Sequence, residues 1–283
     1  MIRLLLTDVL PLEDPAVYAS LYDMASSERR RAADSFRFMK DRRLSIGASA
    51  LLDAGLREFG LRERDMTYGR SEHGKPFFMN ATDIHFNISH SGTKVAVVFS
   101  DREVGCDIEE AFAATLPAKS AEQEAAKCLE MAGRFFSRQE YLAVKAVDSP
   151  SERVRTFYRC WTLKESYMKA TGLGMALAPD SFSVAALCTD ETGSLLRHSG
   201  SLDSLSSGNL DIGAVGRYGG DMGCVADGCA GGDTGCAVGG EMGPHDGFVF
   251  YTLDSFEGYE CALCCSPEAG VPEVEFVRLG KRK

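Results

Sequence analysis

Nowhere in the 283 residues is there a run of about 18 apolar side chains, so no segment is expected to cross a bilayer as a helix. An excess of positive charge is also missing. The 41 acidic and 31 basic side chains leave −10 at neutral pH, which excludes a general nucleic-acid binder. No Ser/His/Asp or Cys/His signature of nucleophilic catalysis stands out. There is no glutamate-dense helix of the kind that hydrolases of nucleoside diphosphates use. "CVADGCAGGDTGC", from Cys224 to Cys236, sets its cysteines five and seven positions apart and offers no C-x₂-C pair of the kind most structural zinc sites use. The opening "MIRLLLTDVLPLEDP" has too short an apolar run for a secretion signal, and Asp8 interrupts it, so it reads as a first strand. The expectation is a cytoplasmic chain whose thiols, including the isolated Cys106, Cys128, Cys160 and Cys188, are mostly free.

The hydrophobic content, 45%, is enough for a normal core, and at ~150 residues per domain the length suggests about two domains. Pro15 to about Gly60 reads as helical, with Phe36, Met39, Leu44, Gly47, Leu51 and Leu52 on a rough 3.6 period. "MTYGRSEHGKPFF" reads as strand, turn and strand, with the turn at Gly74-Lys75-Pro76. "DIHFNIS", "TKVAVVFS" and "EVGCDIEE" read as three further strands. Helices return over about 120–147 and 151–170. "DSFSVAAL" is expected to be a strand, and "GFVFYTLDSFEGYECALCCS" a hairpin turning near Glu257-Gly258. Residues 189–245 are rich in Gly, Ser, Asp and Cys and poor in large apolar residues, which predicts a largely disordered insertion. Helices followed by antiparallel strands occur once before about Glu110 and once after it. The expected fold is therefore α+β, with two similar halves, 1–110 and 111–283.

The chemistry concentrates in a few places. In "VGCDIEE", Val104, Cys106 and Ile108 share one strand face, while Asp107 and Glu109 share the other, roughly 6.5–7 Å apart. Two carboxylates on one face are either solvated at a sheet edge or share a hard divalent cation such as Mg²⁺. A third carboxylate could come from "CWTLKESYMKATG". There Trp161, Glu165 and Lys169 form one helical stripe, with Lys164 beside it. On its own that stripe could equally be an ordinary i,i+4 ion pair. The segment "SSERRRAADSFRFMKDRRLS" is a basic cluster in an acidic protein, suited to a small anion. Within it Arg42 and Arg43, together with Lys75, Lys164, Lys169 and His90 elsewhere, could meet phosphates.

"GKPFF", "FNISHSG", "VGCDIE" and "WTLKESYMKATG", in this order and at these separations, resemble the surfactin-type 4′-phosphopantetheinyl transferases. The resemblance covers about Ser26 to Phe182. It implies two pseudo-symmetric α+β halves with coenzyme A in the cleft between them. It implies Mg²⁺ on Asp107, Glu109 and Glu165. It places Lys75, Ser89, His90 and Lys169 at positions that contact coenzyme A, with Arg29 and Arg43 for its 3′-phosphate. The family often has a basic residue directly before the Ser/Thr of its "R-[ST]" motif, whereas here Leu44 precedes Ser45. The implied reaction moves phosphopantetheine to a serine of an apo carrier protein of a fatty-acid, polyketide or peptide synthase, releasing adenosine 3′,5′-bisphosphate. Glu165 is the expected general base, with Lys164 as a second proton-handling candidate. A monomer is expected. The competing expectations are a non-catalytic module that binds carrier proteins or coenzyme A, and a Mg²⁺-dependent hydrolase of coenzyme A.

Overall fold

The computed structural model describes residues 1–111, 117–188, 214–218, 248–253 and 256–280. In chain order it contains β1 (Ile2–Asp8), α1 (Pro15–Met24), α2 (Ser27–Ser35), α3 (Met39–Leu56), β2 (Tyr68–Arg70), β3 (Pro76–Phe78), β4 (His85–Ser91), β5 (Lys94–Ser100) and β6 (Val104–Glu110). There follow α4 (Ala118–Phe135), α5 (Arg138–Ala146), α6 (Pro150–Thr171), α7 (Ala185–Cys188), β7 (Ala214–Tyr218), β8 (Phe248–Leu253), β9 (Tyr259–Cys265) and β10 (Pro272–Phe276).

The strands form two four-stranded sheets, ordered β10-β1-β5-β4 and β6-β9-β8-β7, beside the small β2-β3 hairpin. Each strand's alternation decides what it touches. From the first sheet, Ile2, Leu4, Leu6, Ala96 and Val98 meet Val104, Cys106, Ile108 and Leu263 of the second in one apolar layer. The opposite face of the first sheet, with Leu5, Val95, Val97 and Phe99, packs on Ile46, Leu51 and Leu52 of α3. The outer face of the second sheet, with Phe250, Ala262 and Cys264, packs on Phe157, Cys160 and Leu163 of α6. The molecule is thus helices, sheet, sheet, helices, in two comparable α+β halves, although β6 joins the second sheet and β10 the first, so the sheets do not divide at residue 110 as expected.

The long helical stretches break where capping side chains stand. Ser26 caps α2 by accepting from the Arg29 N–H, and Ser137 with Glu140 forms a reciprocal capping box at α5. Three features differ from the sequence expectation. "DSFSVAAL" is not a strand: a 3₁₀ turn at Pro179–Ser181 leads to the short helix α7, and the Val184 N–H donates to the buried Glu140 carboxylate rather than to a ladder. β10 was not anticipated; it returns to the first sheet and pairs parallel with β1. Inside the expected insertion, residues 214–218 form β7, paired antiparallel with β8; the rest of 189–245 lies outside the described residues. Among the cysteines, Cys106, Cys128, Cys261, Cys264 and Cys265 are free thiols, whereas Cys160, expected to be free, is disulfide-bonded. Among the described residues no helix is long and apolar enough to cross a membrane.

Candidate active site

The two halves meet where their edge strands, β4 and β6, run side by side. β6 has β9 on its other side, so its cleft-side N–H groups need acceptors from elsewhere. Side chains of β4 supply them. Asn87 Oδ1 accepts from the Cys106 N–H at 2.9 Å, Ser89 Oγ from the Ile108 N–H at 3.3 Å and Ser91 Oγ from the Glu110 N–H at 3.1 Å. Alternation along "FNISHS" places these three polar groups on one face, standing in for a backbone ladder. The two serines then donate onward to the carboxylates of β6: Ser89 to Asp107 Oδ1 at 2.7 Å, and Ser91 to Glu109 Oε2 at 2.8 Å. The sequence reading missed Asn87 and Ser91; their period-2 polarity, in step with Ser89, was the available signal.

Helix α6 forms the other wall. A Cβ built on Gly105 would lie 2.1 Å from the Ser166 carbonyl oxygen and 2.4 Å from the Ala170 nitrogen, so only glycine lets helix and strand come this close. The approach brings Lys169 to Asp107 Oδ1, with Nζ at 2.6 Å, and to Ser89 Oγ at 3.1 Å. Asp107 is almost wholly buried, and its second oxygen, Oδ2, has no protein donor. Burial works against the Lys169 ammonium, but the adjacent Asp107 outweighs it and the pKa is raised. Burial raises Glu109 to about 7, with the Asp107 charge acting in the same direction. Glu165 is also raised, by burial first, opposed by Lys169 and reinforced by Asp107. The site therefore holds three carboxylates that sense one another, with Lys169 paired among them. Among the described residues no three His, Cys, Asp or Glu converge into a ready ligand cluster. Even so, a buried carboxylate oxygen without a donor and two raised carboxyl pKa values suit a site lacking positive charge, which a hard cation would supply.

At the cleft mouth His90 is open to solvent, yet the surrounding protein lowers its pKa by desolvation, helped by the charges of Lys169 and Arg29. Arg29 on α2 and Arg43 on α3 each hold a buried Nε with no partner. A guanidinium of Arg43 also reaches Glu13 at 3.2 Å.

Comparison with known proteins decides the family. Residues 14–102 match the family described as "4′-phosphopantetheinyl transferase, N-terminal", and residues 103–209 match the "4′-phosphopantetheinyl transferase superfamily". A 4′-phosphopantetheinyl transferase of Bacillus pumilus is 31% identical over 178 residues, covering 61% of this chain and 70% of that protein. One from Aneurinibacillus migulanus is 32% identical over 183 residues, covering 64% and 70%. The chain belongs to the 4′-phosphopantetheinyl transferase superfamily. A Bacillus subtilis transferase is 34% identical over 160 residues, 56% of this chain and 65% of that protein, so the match spans just under two thirds of that relative.

Within this transferase fold two expected site residues have other surroundings. Lys164 is not in the cleft. Its ammonium is buried on the far side of α6, 2.6 and 2.8 Å from the Glu140 carboxylate oxygens and 2.8 Å from the Phe182 carbonyl, over the Phe182 ring. Consecutive helical residues point about 100° apart, so Lys164 cannot face the cleft when Glu165 does. Burial lowers its pKa against the pull of Glu140. Lys75 also differs. Its ammonium is held by Glu103 Oε2 at 3.0 Å, the Val104 carbonyl at 3.1 Å and the Ala170 carbonyl at 3.0 Å, which ties the β2-β3 hairpin to β6 and to the C-terminal end of α6.

Proposed function

We propose that the protein transfers the 4′-phosphopantetheine group of coenzyme A to a serine of an apo acyl or peptidyl carrier protein. The observation that carries this is the buried, donor-less Asp107 Oδ2 beside Lys169, with Glu109 and Glu165 at raised pKa, on the wall where the two halves meet. Asp107, Glu109 and Glu165 are the residues that would hold Mg²⁺. Bound there, Mg²⁺ would supply neutralising charge to the pyrophosphate of coenzyme A.

The protein's own groups do the rest. Lys169 and His90 meet the pyrophosphate, and Arg29 and Arg43, each with an unpartnered Nε, take the 3′-phosphate. Glu165 removes the proton of the carrier serine hydroxyl. The serine oxygen bonds to the phosphorus nearest pantetheine, and that phosphorus releases the bridging oxygen, so adenosine 3′,5′-bisphosphate departs with the electron pair. Ser89 holds Asp107 and Lys169 in place for this. Both cleft walls come from one chain, which supports a monomeric enzyme. We place it in the cytoplasm, serving carrier domains of fatty-acid, polyketide or peptide synthases.

The test is direct. The protein is incubated with coenzyme A, Mg²⁺ and an apo carrier protein, and the carrier is weighed. A mass gain equal to phosphopantetheine is expected. Bisphosphate release without that gain would mean hydrolysis, and neither signal would leave a binding module; either result overturns the reading.

A further inference from the structure

Glu63, in the turn between α3 and β2, is a fully buried carboxylate that the reaction does not use. It gathers donors from three parts of the N-terminal half. Oε1 accepts from Ser26 Oγ and from the Tyr68 hydroxyl, both at 2.7 Å. Oε2 accepts from the Ser26 N–H at 2.8 Å and from Ser49 Oγ at 3.0 Å. A charged acceptor with four donors is held rigidly, because each lost bond would strand a polar group away from water.

Ser26 passes this rigidity on. Its hydroxyl donates to Glu63 and accepts from the Arg29 N–H at 3.1 Å as the N-cap of α2. A hydroxyl with its one proton committed to a carboxylate presents a lone pair in a fixed direction. The backbone of Arg29 is therefore set by a relay from Glu63 through Ser26. The Arg29 side chain leads from there to a buried Nε without a partner, and its charge acts on Tyr68, which is bonded to the hub, and on His90 of β4.

We propose that Glu63 and Ser26 are positioning residues that aim Arg29 at an anionic group of the ligand, taken here as the 3′-phosphate of coenzyme A. The inference rests on the reading of the cleft as a coenzyme A site. A purely structural role would loosen α2 and weaken every ligand alike; a positioning role acts only through Arg29 and only on the phosphate that Arg29 meets.

The experiment is calorimetric titration of the full chain with coenzyme A and, separately, with 3′-dephospho-coenzyme A, which needs no turnover. The variants are Ser26→Ala, Ser26→Thr, Glu63→Gln, Arg29→Ala and the double variant Ser26→Ala/Arg29→Ala. Ser26→Ala is expected to weaken coenzyme A about five- to twentyfold, somewhat less than a full charge-assisted contact is worth. Ser26→Thr should recover most of that loss, because its hydroxyl repeats the relay. The dephospho ligand should bind all variants alike, and Ser26→Ala should cost nothing further once Arg29 is Ala. Glu63→Gln should follow Ser26→Ala; if it does not fold, the serine variants carry the test. Equal losses for both ligands, or the same loss with and without Arg29, would overturn the relay while leaving the proposed function standing. Wild-type protein that binds neither ligand would overturn the cleft reading itself, and the relay with it.

Discussion

Lys164 and Lys169 lie five residues apart on one helix and have opposite fates. Lys169 lines the cleft against Asp107, and Lys164 closes a pair with Glu140 in the core of the C-terminal half. Their truncations should therefore fail differently. With Lys169 in its proposed contact to phosphate, Lys169→Ala should lower kcat/KM for coenzyme A about ten- to a hundredfold. Steady-state transfer with coenzyme A varied would show it. Lys164→Ala leaves the Glu140 carboxylate buried without its cation and should cost about 3–5 kcal/mol of stability. Transfer per folded molecule should stay near wild type. Denaturant melts beside the kinetics separate the two outcomes, and a Lys164→Ala protein that is stable but inactive would restore that lysine to the chemistry.

At the scale of elements, the site depends on how closely α6 lies on β6. Gly105→Ala puts a methyl group inside backbone contact distance of Ser166 and Ala170. Neither is a side chain that can swing aside, so the helix must move, at a cost of roughly 1–3 kcal/mol or more. Lys169 should then part from Asp107, and both melting temperature and transfer rate should fall together. The hairpin tether gives a prediction in pH. The His85 imidazole at 3.3 Å, and Lys75 after it, hold the Glu103 carboxyl down to about 2. A depressed carboxyl pKa adds stability that is present above the unfolded value of about 4.3 and is lost as pH falls towards 2. Glu103→Gln should remove that acid-limb slope, seen as urea midpoints that lie below wild type at pH 6 and draw together only as pH falls through about 2. The difference should be small, at most about 1 kcal/mol, because Glu103 is half exposed.

The whole molecule closes through its ends. β10 brings the last described strand back to β1, so the first sheet is completed only by the far end of the chain. β7 and β8 pair with Tyr218 opposite Phe248, so the ends of 219–247 lie at neighbouring strand positions. Replacing 219–247 with a two-residue Asn-Gly turn should leave transfer intact. Closing a shorter loop costs less entropy, and doubling a loop's length adds only about 0.6 kcal/mol. An insoluble or inactive product would show that the segment takes part in folding or docking.

The sequence by itself determined what period and motif can carry: the α+β class, the same-face pair Asp107 and Glu109, the stripe of Glu165 and Lys169, and the family. Each is local, resting on alternation within one strand or on spacing within one helix. What only tertiary structure decided is which neighbours those faces meet. Asn87 and Ser91 look like ordinary strand residues until β6 lies beside them needing acceptors. "DSFSVAAL" carries strand-like residues, but its Val184 N–H finds Glu140 first. β10 gains its partner from 270 residues away, and a partner so distant in the chain leaves no mark in a local pattern. Lys164 shows the same limit. Its place beside Glu165 in sequence suggested a shared task, and the burial of Glu140 on the opposite side of the helix gave it another.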